Sequence, residues 1–194
     1  MHNKEKLMEK LIIEYKKKLN NALEMNAISR IPILASAIFE AWCNGSTIYF
    51  CGNGGSAGNA IHLANDFIYG AGKLNGVGLK VESLSANTAV ITCLANDIGY
   101  DKIYSEQIKV KGESGDILIA LSGSGNSSNI IEALSVANDK NMKTFAILGF
   151  DGGECKKIAS FPIHFEIYDM QIAEDLQLII GHMCMKWLAE RKII

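Results

Sequence analysis

The chain has 194 residues, 48% of them apolar, which is enough for one sizeable core in a single domain. Its net charge of −2 argues against a nucleic-acid binder that works by bulk charge, and Lys16, Lys17 and Lys18 read as a solvated helix face. Cys43, Cys51, Cys93, Cys155 and Cys184 form no CxxC pair, which excludes zinc-finger spacing and fits reduced thiols in a cytoplasmic protein.

Leu7, Leu11, Ile12, Tyr15, Leu19 and Leu23 recur at three- and four-residue intervals, predicting an amphipathic helix over Lys4–Met25. Ser29 is placed to cap a second helix, Ile31–Trp42, with Pro32 in its first turn and Asn44-Gly45 at its end. Both helices precede the first strand, so they lie outside an alternating core and are available to another subunit. From Thr47 strands and helices alternate. Strands are expected at Thr47–Cys51, Leu79–Ser83, Ile117–Leu121, Thr144–Leu148 and Phe161–Phe165. Helices are expected at Ala57–Tyr69, Asn87–Ala95, Tyr104–Val110, Asn129–Asn141 and Met170–Lys192, and Gly70–Gly76 reads as a flexible loop. This order implies an α/β fold: a parallel five-stranded sheet flanked by helices, with ligands at the carboxyl ends of its strands. The charged start lacks an apolar signal core, and no apolar run reaches transmembrane length, so a cytoplasmic location and no membrane partner are expected.

Two turns stand at those carboxyl ends. The first is Gly52-Asn53-Gly54-Gly55-Ser56-Ala57-Gly58, and the second is Ser122-Gly123-Ser124-Gly125-Asn126-Ser127-Ser128. Glycines admit close approach of the backbone to an anion, and the following helix aims unpaired N–H groups at it. Serine hydroxyls add donors. With only Arg30 and Arg191 as arginines, a bound phosphate relies on hydroxyls, backbone amides or a lysine rather than an arginine fork. Gly52-x-Gly54-x-x-Ala57, with Glu82 beyond it, also fits a dinucleotide fingerprint. The recurrence of a hydroxyl-rich turn favours a sugar monophosphate instead.

His62 and Asp66 are four apart on one helix and share a face. Glu174 and His182 are eight apart on the last helix, on roughly one side but separated by about 12 Å along its axis. If the helices converge, two imidazoles and two carboxylates make a zinc set; otherwise Glu174 and His182 have different roles. His2 and His164 read as ordinary histidines.

The sequence Gly52-Asn53-Gly54-Gly55-Ser56, then Asn96-Asp97, the serine turn and Gly181-His182 on the final helix resembles the sugar isomerase (SIS) domain family. Within it, the chain is similar to the phosphoheptose isomerases over nearly its whole length. The resemblance implies one SIS domain over residues 1–194, a three-layer sandwich of flavodoxin-like type. It makes residues 1–44 a helical extension used in oligomerisation. It implies isomerisation of sedoheptulose 7-phosphate to a manno-heptose 7-phosphate for surface polysaccharide, with sites between the subunits of a homotetramer. Substrate would be held by Asn53, Gly54, Gly55, Ser56, Asn96, Asp97, Ser122, Gly123, Ser124, Ser127 and Glu174. Asp66 and His182 would share the acid–base work, and one zinc would be bound through His62, Asp66, Glu174 and His182. Two positions depart from the family pattern: Asp66 stands where glutamate is typical, and Glu174 where glutamine is common. An alternative alignment puts Asn65 at the first position. The same resemblance admits a non-catalytic member, a sugar-phosphate sensor or a partner of the replication initiator.

Overall fold

A computed structural model of the chain describes residues 2–74 and 76–191. Two helices come first, α1 (His2–Leu23) and α2 (Ile31–Asn44), joined by a 3₁₀ turn over Asn26–Arg30. Then follow β1 (Ile48–Gly52), α3 (Gly55–Asn65), β2 (Val81–Ser83), α4 (Thr88–Asp97), α5 (Ser105–Lys111), β3 (Ile117–Ser122), α6 (Ser128–Asp139), β4 (Lys143–Leu148), α7 (Gly153–Ile158), β5 (Phe161–His164) and α8 (Met170–Ala189). The strands pair in the order β2-β1-β3-β4-β5, all parallel.

Alternation along the strands divides the core into two layers. Ile48, Phe50, Ile117, Ile119, Leu121, Phe145, Ile147 and Ile163 face one way, against α2, α3 and α8. Tyr49, Cys51, Leu118, Ala120, Ala146 and Leu148 face the other, against α5, α6 and α7. β1 and β3 are neighbours in the sheet, yet the helices that follow them leave to opposite faces. Ala60 and Leu63 of α3 bury in the first layer, and Ile130 and Leu134 of α6 in the second. That divergence opens a crevice at the carboxyl ends of β1 and β3, the usual ligand position in an open α/β sheet. Both glycine-serine turns sit there.

The expected alternation holds, with local differences. Ser29 does not cap α2. It lies inside the 3₁₀ turn, its hydroxyl donates back to Asn26 O at 2.6 Å, and Arg30 occupies the cap position. Gly45 ends α2 with φ +69°, as anticipated. α3 ends at Asn65 and continues as a π-helical turn over Asp66–Gly70, and the expected loop after it winds into a 3₁₀ turn over Ala71–Leu74. α7 was not anticipated; its six residues are too few to show a helical period. The expected end of α8 at Lys192 lies outside the described residues. Among the described residues no single helix is long and apolar enough to cross a membrane.

Candidate active site

β1 ends at Gly52, and the chain turns through Asn53 and Gly54 into α3. β3 ends at Ser122 and turns through Gly123–Ser127 into α6. Between these turns lies a pocket of about 260 Å³ lined by Asn53, Gly54, Gly55, Ser56, Leu121, Ser122, Gly123, Ser124, Ser127, Met170 and Glu174. Two helix N-termini therefore open on one cavity, and among the described residues no lysine or arginine lines it.

The serine hydroxyls are oriented by the protein. Ser56 Oγ accepts from Gln177 Nε2 at 3.0 Å, and Ser122 Oγ accepts from the Gly125 N–H at 3.0 Å. Ser124 Oγ accepts from the Asn126 N–H at 3.3 Å. An oxygen that accepts from the backbone or a buried amide keeps its own O–H free to donate. Ser127 holds the N-cap position of α6 without using its side chain there. The cavity is thus rich in donors for an anion.

α3 and α8 run side by side in the same direction. Asn59 Nδ2 donates to Glu174 O at 3.0 Å and to Gln177 Oε1 at 2.9 Å. Two glycines permit this closeness. A Cβ on Gly181 would stand 2.2 Å from Leu63 Cδ2, and one on Gly55 would stand 2.4 Å from Glu174 Oε2. Further along the pair, His62 and His182 meet with their Nε2 atoms 3.0 Å apart. Asp66 Oδ2 lies 3.4 Å from His62 Nε2 and 3.3 Å from His182 Nε2. Asp66, where the helix widens into its π turn, supplies the carboxylate; Asn65 is exposed, its side-chain amide donating to Asp66 Oδ1 at 3.5 Å.

These three donors can be tested against a zinc ion. Zinc bound at 2.0–2.1 Å in a tetrahedron places its ligand atoms about 3.3 Å apart. The separations of 3.0, 3.3 and 3.4 Å fit. Glu174 is not in this group. Its carboxylate lies against Gly55 at the cradle end of α8, because eight residues of helix separate it from His182 by about 12 Å. The expectation that it completes a metal set with His62, Asp66 and His182 is corrected within one chain. Glu174 lines the pocket together with Asn53, Gly55 and Ser56.

Asn53, Gly54, Gly55, Ser56, Ser122, Gly123, Ser124 and Ser127 come together as expected. Asn96 and Asp97 do not line this cavity. They are exposed at the end of α4, Asn96 Nδ2 donating to Asp97 Oδ1 at 2.8 Å. Sequence reasoning missed Asn129, Gln177, Tyr100 and Tyr104, which hold the turns from behind. A buried amide on a helix carries no periodic signal, and only its surroundings reveal its partner. Tyr104 is a lasting donor: burial, above all, pushes its phenol up to about 12.

The cysteines are free, and burial pushes Cys155 and Cys184 up to about 12, so neither offers a thiolate near neutral pH.

Comparison with known proteins agrees with this geometry. The SIS domain family matches residues 13–149. The phosphoheptose isomerase of Akkermansia muciniphila is 38% identical over 149 residues, covering 77% of this chain and 78% of that protein. The phosphoheptose isomerase of Helicobacter pylori strain P12 is 33% identical over 177 residues, covering 91% of each. The solved phosphoheptose isomerase of Neisseria gonorrhoeae superposes with a TM-score of 0.83 at 26% identity, covering 94% of this chain and 98% of that one. With a donor-rich cradle, a His–Asp–His cluster and this kinship, the chain belongs to the phosphoheptose isomerases of the SIS domain family.

Proposed function

We propose that the chain isomerises D-sedoheptulose 7-phosphate to D-glycero-D-manno-heptose 7-phosphate, a heptose precursor of surface polysaccharide. The observation that carries this reading is the convergence of His62, Asp66 and His182 two turns along the same helix pair that opens on the hydroxyl cradle. Seven residues of α3 separate Gly55 from His62, about 10 Å along the axis, a distance on the scale of a seven-carbon sugar.

An aldose–ketose exchange moves one proton between neighbouring carbons through an enediol, and it needs a base over the carbon and a proton donor at the oxygen. Asp66 and His182 are 3.3 Å apart, so both can reach neighbouring atoms of one bound sugar. Asp66 takes the proton from carbon, and His182 serves the oxygen. Ser56, Ser122, Ser124 and Ser127, with the amides of Gly54, Gly55 and Gly123, hold the phosphate. Asn53 orients sugar hydroxyls from the cradle, and Asn96 and Asp97, which do not line this cavity, do so in the assembled site between subunits. Glu174 sits beside the cradle, where its carboxylate limits how tightly an anion binds.

His62, Asp66 and His182 would hold one zinc, which when bound polarises the oxygens of the reacting carbons. The chemistry of two imidazoles and a carboxylate supports this assignment.

In this proposal one SIS domain spans residues 1–194, works in the cytoplasm and assembles as a homotetramer with sites between subunits. Residues 1–44 serve that assembly. Leu7, Met8, Leu11, Ile12 and Ile13 leave an apolar stripe of α1 exposed, and α4 buries no residue completely. Incubation of the purified protein with sedoheptulose 7-phosphate, with and without added zinc, tests the activity. A new heptose aldose in the product is the expected result. Substrate binding with no turnover under either condition would instead make the chain a non-catalytic sugar-phosphate binder.

A further inference from the structure

Asn53 and Asn129 face each other as a reciprocal amide pair. Asn53 Nδ2 donates to Asn129 Oδ1 at 2.9 Å, and Asn129 Nδ2 donates to Asn53 Oδ1 at 2.8 Å. Asn129 is only 1% exposed, and it stands in the first turn of α6, two residues after Ser127. Asn53 stands between Gly52 and Gly54 on the other turn. The pair is therefore a bridge between the two walls of the cradle. Two tyrosines reinforce it. Tyr100 Oη donates to Asn53 Oδ1 at 3.1 Å, and Tyr104 Oη reaches Asn53 Oδ1 at 3.4 Å while also bonding Gly52 O. Ser85 Oγ completes the anchor, donating to Gly52 O at 3.0 Å.

The carbonyl of Asn53 thus accepts from Asn129 and Tyr100, with the Tyr104 phenol alongside committed to Gly52 O, and its amide nitrogen spends one hydrogen on Asn129. A reciprocal amide pair with Asn129 buried and Asn53 half-buried ties together both backbones that carry it, because loss of Asn53 leaves the Asn129 amide desolvated and unpaired. No covalent link or strand pairing joins the two turns beyond Gly52, where β1 and β3 stop pairing.

We propose that Asn129 is a positioning residue: acting only through Asn53, it sets the width of the anion cradle and so the affinity for the phosphate of the substrate. The assignment rests on the cradle being the phosphate site. It leaves proton transfer at His62, Asp66 and His182 untouched, since the bridge lies at the opposite end of α3.

The test uses Asn129→Ala, Asn53→Ala and the double variant, with sedoheptulose 7-phosphate as substrate and inorganic phosphate as competitive inhibitor. In Asn129→Ala, KM and the inhibition constant for phosphate are expected to rise together by about tenfold, the loss of one reciprocal hydrogen-bonded pair, while kcat changes by less than about threefold. The double variant is expected to match Asn53→Ala. Effects that multiply in the double variant would show that Asn129 acts on its own and would overturn the proposal. A lowered Tm and lowered active fraction with unchanged KM and phosphate inhibition would reduce Asn129 to a structural role, which also overturns it. Should Asn129→Ala fail to fold, Asn129→Ser keeps a polar group in place but cannot reach Asn53, and the same readouts apply. If the unaltered protein shows no turnover, the isomerase reading fails by itself. Phosphate affinity measured by calorimetry across the same variants then still supports or overturns the bridge.

Discussion

The cradle and the His–Asp–His cluster are two ends of one helix pair, built on opposite plans. The cradle consists of backbone turns closed by buried polar groups: Ser56 is 4% exposed, Ser122 5% and Asn129 1%. The cluster consists of side chains that stand partly in water, His62 at 48% and His182 at 42% exposed, and it borrows its geometry from the approach of α3 to α8. The cradle is therefore held by the fold itself and should survive most single changes near the cluster. The cluster depends on a few contacts between helices, so small changes there should abolish chemistry while leaving phosphate binding intact.

The largest expected break in that contrast is Asp66→Asn. Loss of the carboxylate should lower kcat by about 10²–10⁴-fold, the scale of general acid–base catalysis, with KM little changed. A steady-state assay of aldose formation reads this directly, and a loss carried mainly by KM would move Asp66 to the binding side. Next comes Gly181→Ala. Its methyl group would meet Leu63 at 2.2 Å and force α3 and α8 apart, which should cost about 1–3 kcal/mol of stability and disturb the 3.0 Å contact of His62 with His182. Denaturant melts measure the first effect and zinc titration the second. An unchanged melt would mean that the helices separate freely.

Glu174→Gln should sharpen the comparison from the other side. Removing a negative charge beside the anion cradle is worth about 1 kcal/mol at contact in water, so phosphate inhibition should tighten by about fivefold. Competitive inhibition by inorganic phosphate is the measurement, and weaker inhibition would show the carboxylate to be a favourable contact.

The smallest effect concerns the base of α8. Asp169 caps that helix, accepting from the Ile172 N–H at 3.4 Å, and receives Lys18 of α1 at 2.7 Å. The hydrogen bond from Lys18, more than any other influence, holds the carboxyl below its usual 3.8. A group depressed on folding stabilises above its unfolded value, and that contribution disappears as pH falls through the folded one. Tm should therefore decline from about pH 4 downward, and Asp169→Ala should remove about 1 kcal/mol at neutral pH together with part of that decline. Melting curves from pH 6 to pH 3 on both proteins test it; parallel curves would assign the acid sensitivity elsewhere.

Much of this site was legible in the sequence, for identifiable reasons. Ile117–Leu121 followed by a serine-glycine turn announces a strand, an anion loop and a helix, because all three signals are local. His62 and Asp66 share a helix face by spacing alone. Their union with His182 was not readable from spacing: it depends on Gly55 and Gly181 letting α3 and α8 lie close, a fact of packing rather than pattern. For the same reason Glu174, expected both at a metal and among the substrate residues, stands at the cradle and away from His62, Asp66 and His182. Asn129 and Gln177 look like ordinary helix residues until the fold buries them against Asn53 and Ser56.

The account stands on proton transfer by Asp66 and His182 upon a sugar whose phosphate is anchored in the cradle. Turnover of sedoheptulose 7-phosphate in D₂O, followed by proton NMR, addresses it directly. The account predicts solvent deuterium at C2 of the aldose formed by the unaltered protein, and none with Asp66→Asn although phosphate still binds. Aldose formed at equal rate by Asp66→Asn would contradict it.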